Sequence, residues 1–218
     1  LVITVAALFA VKNSPQQALS EAKEPQSIAS YAKSRKIWIL SGLYMLFGFS
    51  YVIFATFFAR YLVSEGGLSE RTVGSMWSAI GGVSVVSGFL WGVASDRYGR
   101  RAALAGIFFV QALAYGIFAF WHAMPGYLVG ALLFGLTAWS IPAVMGATVG
   151  DLYGPRAAPA VFGFVTLVFG IGQALGPVVA GRIADTTGSY SIAFAMAAVV
   201  ALAGAPLSFL VKGSKKAL

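Results

Sequence analysis

Four of the charged side chains in this chain are crowded into one short stretch, GVASDRYGRR at residues 92–101. They are one carboxylate and three guanidiniums: Asp96, Arg97, Arg100 and Arg101. Such groups can form ion pairs, bind the carbonyls at helix ends or bind phosphate. The chain offers little for covalent catalysis or metal binding, because it has no Cys and a single histidine, His122. We therefore expect no enzyme activity, no metal and no cofactor.

The charged stretch lies between long apolar runs, as expected of a membrane protein. Of the 218 residues, 59% are hydrophobic and only 10% are charged, whereas roughly a quarter of the residues of a soluble domain are charged. A helix that crosses a bilayer needs about 20 apolar residues. Six runs meet that length: 37–62, 72–95, 102–121, 125–149, 159–181 and 191–211. The predicted fold class is an all-α membrane protein with six transmembrane helices.

The segments outside these runs complete the predicted organisation. Residues 1–11 are apolar but too short for a span, and we interpret them as the end of a truncated transmembrane helix. A signal peptide is the alternative, although the segment has no basic region before it. We expect a central linker at 12–36, a six-helix domain at 37–211 and a tail at 212–218.

The basic residues predict the orientation of the helices. Twelve of the 15 Lys and Arg residues fall on one side of the six predicted spans, and three fall on the other: Arg60, Arg71 and Arg182. Since loops rich in Lys and Arg stay in the cytoplasm, we expect the linker and the C-terminus to be cytoplasmic. The net charge of +8 is then explained by topology and by contact with anionic lipid, without a nucleic-acid partner.

The pattern G-x-x-x-D-x-x-G occurs twice in the chain. The first copy covers residues 92–99 and the second, 89 positions later, covers 181–188. Because three predicted spans separate the copies, the two loops would lie on opposite faces of the membrane. That layout is typical of the inverted repeats of secondary transporters. The spacing therefore predicts two groups of three helices related as an inverted repeat.

The first copy of the pattern resembles the signature loop of the major facilitator superfamily, through Gly92, Asp96, Arg97, Gly99, Arg100 and Arg101. The resemblance implies a permease that moves a small solute by alternating access, with twelve helices in two six-helix halves. This chain looks like the C-terminal half, so the N-terminal half is an expected partner. Residues 172–194 look like span eleven of an uncharacterised bacterial branch and are similar to oxalate–formate and monocarboxylate carriers. The implied location is the bacterial inner membrane.

The six loop residues are predicted to form a cytoplasmic latch. Contacts between their charges and the missing half would exist in only one arrangement of the halves, and would therefore favour the outward-open state. Anchoring of topology is the alternative interpretation, which accounts for Arg100 and Arg101 but not for Asp96.

The substrate site is expected near the bilayer midplane. The candidate lining residues are Tyr44, Tyr51, Trp139 and Gln173, and those expected to bend or closely pack helices are Pro142, Gly172, Gly176 and Pro177. Gln111 is expected to bond a neighbouring helix. No basic residue lies within 72–95 or 159–181, which disfavours an organic anion, and no acidic residue lies mid-span. Any coupling ion is thus expected at the other half, and a non-transporting subunit or receptor remains the alternative function.

Overall fold

The computed structural model describes residues 31–211, which contain α-helices and no strand. The helices are α1 (Arg35–Ser64), α2 (Glu70–Tyr98), α3 (Arg100–Phe120), α4 (Met124–Gly135), α5 (Ser140–Thr187) and α6 (Ser191–Leu207), followed by a 3₁₀ turn at Ser208–Leu210. Counting Met124–Thr187 as one run, five of these are long and apolar enough to cross a membrane. The predicted all-α class is confirmed. The predictions for residues 1–30 and 212–218 lie outside the described residues.

The first three helices agree with the predicted spans to within three residues at each end. Hydroxyl caps set two of the starts: Ser34 accepts a hydrogen bond from the Lys36 amide, and Ser69 accepts one from the Thr72 amide. Each cap satisfies one of the amides that a first helical turn leaves without a partner.

Residues 150–158 are helical apart from Gly154, where the sequence predicts a connecting loop. Gly154 has φ 73° and ψ 168°, a left-handed region of φ that favours glycine. The chain folds back at Gly154. Gly146 and Phe162 lie eight residues before and after it, yet they are close in space, since a Cβ on Gly146 would lie 3.9 Å from the ring of Phe162. Pro155 can follow at once, since the first helical position needs no amide hydrogen. A single residue thus replaces the loop and divides α5 into a first arm, 140–153, and a second arm, 155–187.

Helix α1 packs against other helices on two of its sides. On one side Phe54 packs against Phe118 of α3 and Phe194 of α6, with ring centroids 4.8 and 5.8 Å apart. On another side its backbone meets the second arm of α5, where Gly172 and Gly176 allow close approach. Helix α1 therefore contacts α3 and α6 through its rings and α5 through its backbone, and these contacts position its side chains.

Candidate functional site

The predicted latch residues form a sharp corner between α2 and α3. Asp96 and Arg97 lie in the last turn of α2, and Gly99 is the only residue between the helices, with φ 91°. Its amide donates to the carbonyl of Ser95 at 3.0 Å, so the corner closes α2 and opens α3 in one residue. A residue with a Cβ would be strained at this φ.

Arg100 links this corner to α5. Its Nη1 donates to Asp96 Oδ1 at 2.6 Å and to the hydroxyl of Ser95, and its Nε donates to Asp151 Oδ2 at 2.8 Å. The Arg100 side chain is 23% exposed and that of Asp151 is 44% exposed, so the pair is partly shielded from solvent. Charge-assisted bonds of this kind are the stronger hydrogen bonds of proteins. The corner is therefore held to the end of the first arm of α5 within this chain.

The sequence did not identify Asp151 as the partner of Arg100, although a signal was present. Asp151 is an acidic residue at the predicted cytoplasmic end of an apolar run, opposite in charge to the loop, yet 51 positions away. Arg97 lies over the ring of Tyr98 at 5.5 Å and is exposed. Among residues 31–211, neither Arg97 nor Arg101 pairs with a carboxylate.

Three of the four candidate lining residues, Tyr44, Tyr51 and Trp139, make ring contacts, and the fourth, Gln173, lies on α5. Tyr44 is buried and stacks on Phe169 of the second α5 arm, with centroids 4.3 Å apart. Tyr51 stacks on Phe134 of α4 at 5.6 Å and lies 6.4 Å from the ring of Trp139. These rings form an aromatic wall across α1, α4, the residue before α5 and the second arm of α5.

The candidate lining residues differ in how far their side chains are exposed to solvent. Trp139 is 56% exposed, Tyr51 and Gln173 are half-buried and Tyr44 is only 4% exposed. Gln173 lies one helical turn beyond Phe169 on α5. The accessible polar part of the wall therefore consists of Tyr51, Trp139 and Gln173, while Tyr44 supports it from within the bundle.

The wall adjoins a break in the membrane run between α4 and α5, at residues 136–139. Side chains from two other helices satisfy the backbone groups freed there. The Trp91 indole donates to the Leu136 carbonyl at 3.0 Å, and the Gln111 amide donates to the Thr137 carbonyl at 3.4 Å. The amide of Trp139 donates to Ser87 Oγ at 3.3 Å. Such substitutes are necessary because hydrocarbon offers no hydrogen bonds.

The residues expected to bend helices lie close to these features. Pro142 is the third residue of α5, just after the break, where its missing amide hydrogen leaves no carbonyl unpaired. Gly172 and Gly176 face α1: a Cβ would lie 2.3 Å from the Met45 carbonyl in the first case and 2.6 Å from the Phe49 carbonyl in the second. Both positions, and Pro177, keep helical backbone angles, and Gly154 is the non-helical residue of α5.

Hydrogen bonds to the break identify residues whose role the sequence only partly suggested. Gln111 was expected to bond a neighbouring helix, and its amide donates instead to the Thr137 carbonyl in the break between α4 and α5. Ser87 and Trp91 were not predicted, because serine is common on α2 and an indole in a membrane span is usually read as apolar surface. Within residues 31–211 no cluster of three or more His, Asp or Glu side chains is placed to hold a metal ion.

Comparison with known proteins identifies the family. The family model described as "Uncharacterised MFS-type transporter YbfB" matches residues 1–208. The chain belongs to this family of MFS-type transporters. The family predicted from the loop at 92–101 is thereby confirmed.

The MFS-type chain has curated relatives in animals and bacteria. It is 32% identical to human Solute carrier family 67 member A1 over 154 residues, which cover 68% of this chain and 36% of that protein. It is 26% identical to the hexuronate transporter of Bacillus subtilis (strain 168), over 88% of this chain and 50% of that protein. It is 28% identical to the class H tetracycline resistance protein of Pasteurella multocida, over 61% and 33%. The chain spans half or less of these relatives.

Solved structures share the fold of this MFS-type chain. A crystal structure of the peptide transporter POT superimposes with a TM-score of 0.73 at 21% identity, covering 91% of this chain and 41% of that one. The inward-open xylose transporter XylE from E. coli gives a TM-score of 0.63 at 19% identity, covering 86% and 48%. At these identities the likeness concerns the fold alone.

Proposed function

We propose that this chain is the C-terminal half of a secondary transporter that moves a small solute across the bacterial inner membrane by alternating access. The observation that carries the proposal is the match of an MFS-type transporter family over residues 1–208. The relatives are about twice as long or longer, which is consistent with a missing N-terminal half. Residues 1–11 would end that half, 12–36 would form a cytoplasmic linker and 212–218 a cytoplasmic tail.

The reversal at Gly154 supports six spans in two groups of three. In this topology α4 with the first arm of α5 forms one crossing, and the second arm of α5 forms the next. The two copies of G-x-x-x-D-x-x-G end at opposite ends of α2, because Gly99 follows α2 while Gly188 lies beside Ser189, which bonds Glu65 ahead of α2. That placement favours an inverted repeat, in which corresponding loops lie on opposite faces.

The aromatic wall is the proposed substrate surface of this half. It adjoins a broken span, and broken helices with exposed polar groups line the sites of secondary transporters. Tyr51, Trp139 and Gln173 offer hydroxyl, indole and amide groups but no charge. All the charged residues in 31–211 lie within two turns of a helix end, the division at Gly154 included, or between helices. We infer that this half binds an uncharged part of the solute, and that any charge recognition or ion coupling belongs to the other half.

The loop at 92–101 is the proposed cytoplasmic latch. Arg100 is occupied with Asp96 and Asp151, so it would hold the corner in position. Arg97 is exposed at the same corner and is the residue best placed to contact the missing half. Topology anchoring by these basic residues would operate alongside the latch.

Flux measurements on the full-length carrier test the proposal. Purified carrier is reconstituted into vesicles and offered xylose, a dipeptide, a hexuronate and tetracycline, four solutes suggested by the names of similar proteins. We expect saturable uptake of at least one solute or of a close chemical analogue, and a higher KM in Trp139→Ala than in Phe120→Ala, a matched change at an exposed position on α3. Binding of a partner protein with no flux of any solute would favour the alternative of a non-transporting subunit.

A further inference from the structure

A second acidic contact ties helices together at the end of the bundle opposite the Arg100–Asp151 pair. Glu65 directly follows α1, and its two carboxylate oxygens accept from neighbours at the start of α6. Ser189 Oγ donates to Oε2 at 2.6 Å, and the amide of Tyr190 donates to Oε1 at 2.7 Å. The N-cap residue of α6, Tyr190, makes no side-chain cap bond of its own. Glu65 therefore caps a helix that belongs to a distant part of the sequence.

Further contacts around Glu65 hold the end of α1 against the start of α6. The ring of Tyr190 stacks on Phe57 with centroids 4.7 Å apart, and the Arg60 guanidinium lies 6.0 Å above the same ring. One turn before Glu65, the Tyr61 hydroxyl donates to the carbonyl of Phe118 at 2.9 Å. The last two turns of α1 are thus bonded to the end of α3 and to the start of α6. A carboxylate at the N-terminus of α6 also faces the positive end of that helix.

The contact at Glu65 resembles the contact at Arg100 in its place within the repeat, with the two carboxylates offset by three positions. Gly99 and Gly188, the final glycines of the two repeated patterns, both have positive φ. In each copy the next residue, Arg100 or Ser189, donates to a carboxylate. Each carboxylate stands near the end of the first span of the opposite three-helix group. Glu65 precedes Gly154 by 89 positions, the period of the repeat, and Asp151 is three residues before Gly154.

We propose that Glu65 is a positioning residue, the counterpart of Asp151 on the opposite membrane face. Together the two carboxylates fasten one three-helix group to the other at both ends, so that the chain moves as one rigid body. The proposal deepens the alternating-access function and rests on it for its role in transport. The structural claim, that Glu65 stabilises the start of α6, does not depend on that function, because hydrogen exchange at the start of α6 can be measured without any solute.

Hydrogen exchange of the full-length carrier in detergent tests the structural claim. In Glu65→Ala, the amides at the start of α6 lose their capping acceptor, and we expect them to exchange roughly fivefold faster, a value reduced to allow for the exposure of Glu65. The matched control is Glu70→Ala, which removes another exposed carboxylate on the same face, in the first turn of α2. Unchanged exchange at α6 in Glu65→Ala, or an equal increase in the control, would overturn the proposal.

A covalent replacement of the contact tests its role in transport. This chain has no Cys of its own, so Glu65→Cys with Ser189→Cys, in a carrier with cysteines outside this chain removed, can be joined by a short bifunctional thiol reagent. If the two groups stay together throughout the cycle, the cross-linked carrier should keep more than half the flux of the same variant before cross-linking. A loss of more than half would mean that the contact opens during the cycle and would refute rigid-body motion. A wild-type carrier with no flux would defeat the transport function, while hydrogen exchange would still decide whether Glu65 fastens α6.

Discussion

The contact between α1 and the second arm of α5 leads to a prediction for Gly172. A Cβ at this position would lie 2.3 Å from the carbonyl oxygen of Met45 and 3.0 Å from the amide nitrogen of Phe49, whereas ordinary contact begins near 3.4 Å. Both atoms are backbone, so no side chain can rotate away. Gly172→Ala must therefore separate two helices by roughly 1 Å, and overpacking of this kind costs about 1–3 kcal/mol.

A second glycine on the same arm provides the control for this change. A Cβ on Gly170 would find no atom within 4 Å. Alanine is favoured over glycine inside a helix by up to about 1 kcal/mol. Gly170→Ala should consequently leave the carrier as stable as wild type or slightly more stable. The two alanine variants should differ by about 1–4 kcal/mol in the free energy of unfolding.

Equilibrium unfolding of the full-length carrier in mixed micelles measures this difference. Far-ultraviolet circular dichroism reports the loss of helix as SDS is added, and insertion into membranes is checked by the yield of purified carrier. We expect a clear shift of the unfolding midpoint for Gly172→Ala alone. If the two variants unfold at the same SDS fraction, the helices are not in backbone contact at Gly172 and the packing described here is wrong.

Three further changes test the break and the corner. Ser87→Ala leaves the Trp139 amide without its acceptor, and should lower the free energy of unfolding by about 1 kcal/mol in the same assay. Asp151→Asn removes an ion pair with Arg100 that is partly exposed, so the loss should stay below about 1 kcal/mol; an unchanged loss in high salt would argue against an ionic contact. Asp96→Asn should slow solute flux in vesicles without reducing insertion, and an unaltered rate would contradict the latch.

Much of the helix layout was predictable because hydropathy and length act locally. The run at 37–62 became Arg35–Ser64, and that at 102–121 became Arg100–Phe120. The break at 136–139 was predictable only in part. Pro142 was expected to bend the run at 125–149, but a proline does not fix the residues at which the preceding helix ends. The bonds that stabilise the break come from Ser87, Trp91 and Gln111, which lie on other helices.

The region after the break was predicted to be a loop, but it is helical apart from Gly154. Residues 150–158 contain an Asp, an Arg, two Gly and a Pro, a composition typical of a loop. The structure keeps them helical because Gly154 alone adopts a positive φ and Pro155 can begin the next helix. The consequence for the site is direct, since Asp151 then stays on the last turn of a helix. Its carboxylate is thereby held in reach of Arg100, which no local pattern could indicate.

The repeated pattern predicted equivalent positions for the two loops but not equivalent chemistry. The residue after the final glycine is Arg100 in the first copy and Ser189 in the second. Each donates to a carboxylate, yet the first contact joins two charges while the second joins a charge to a hydroxyl and a backbone amide. Salt should weaken the exposed ion pair more than the helix cap, because screening acts most strongly between full charges in solvent. The two contacts should therefore differ in how they respond to ionic strength, although each follows a copy of the same sequence pattern.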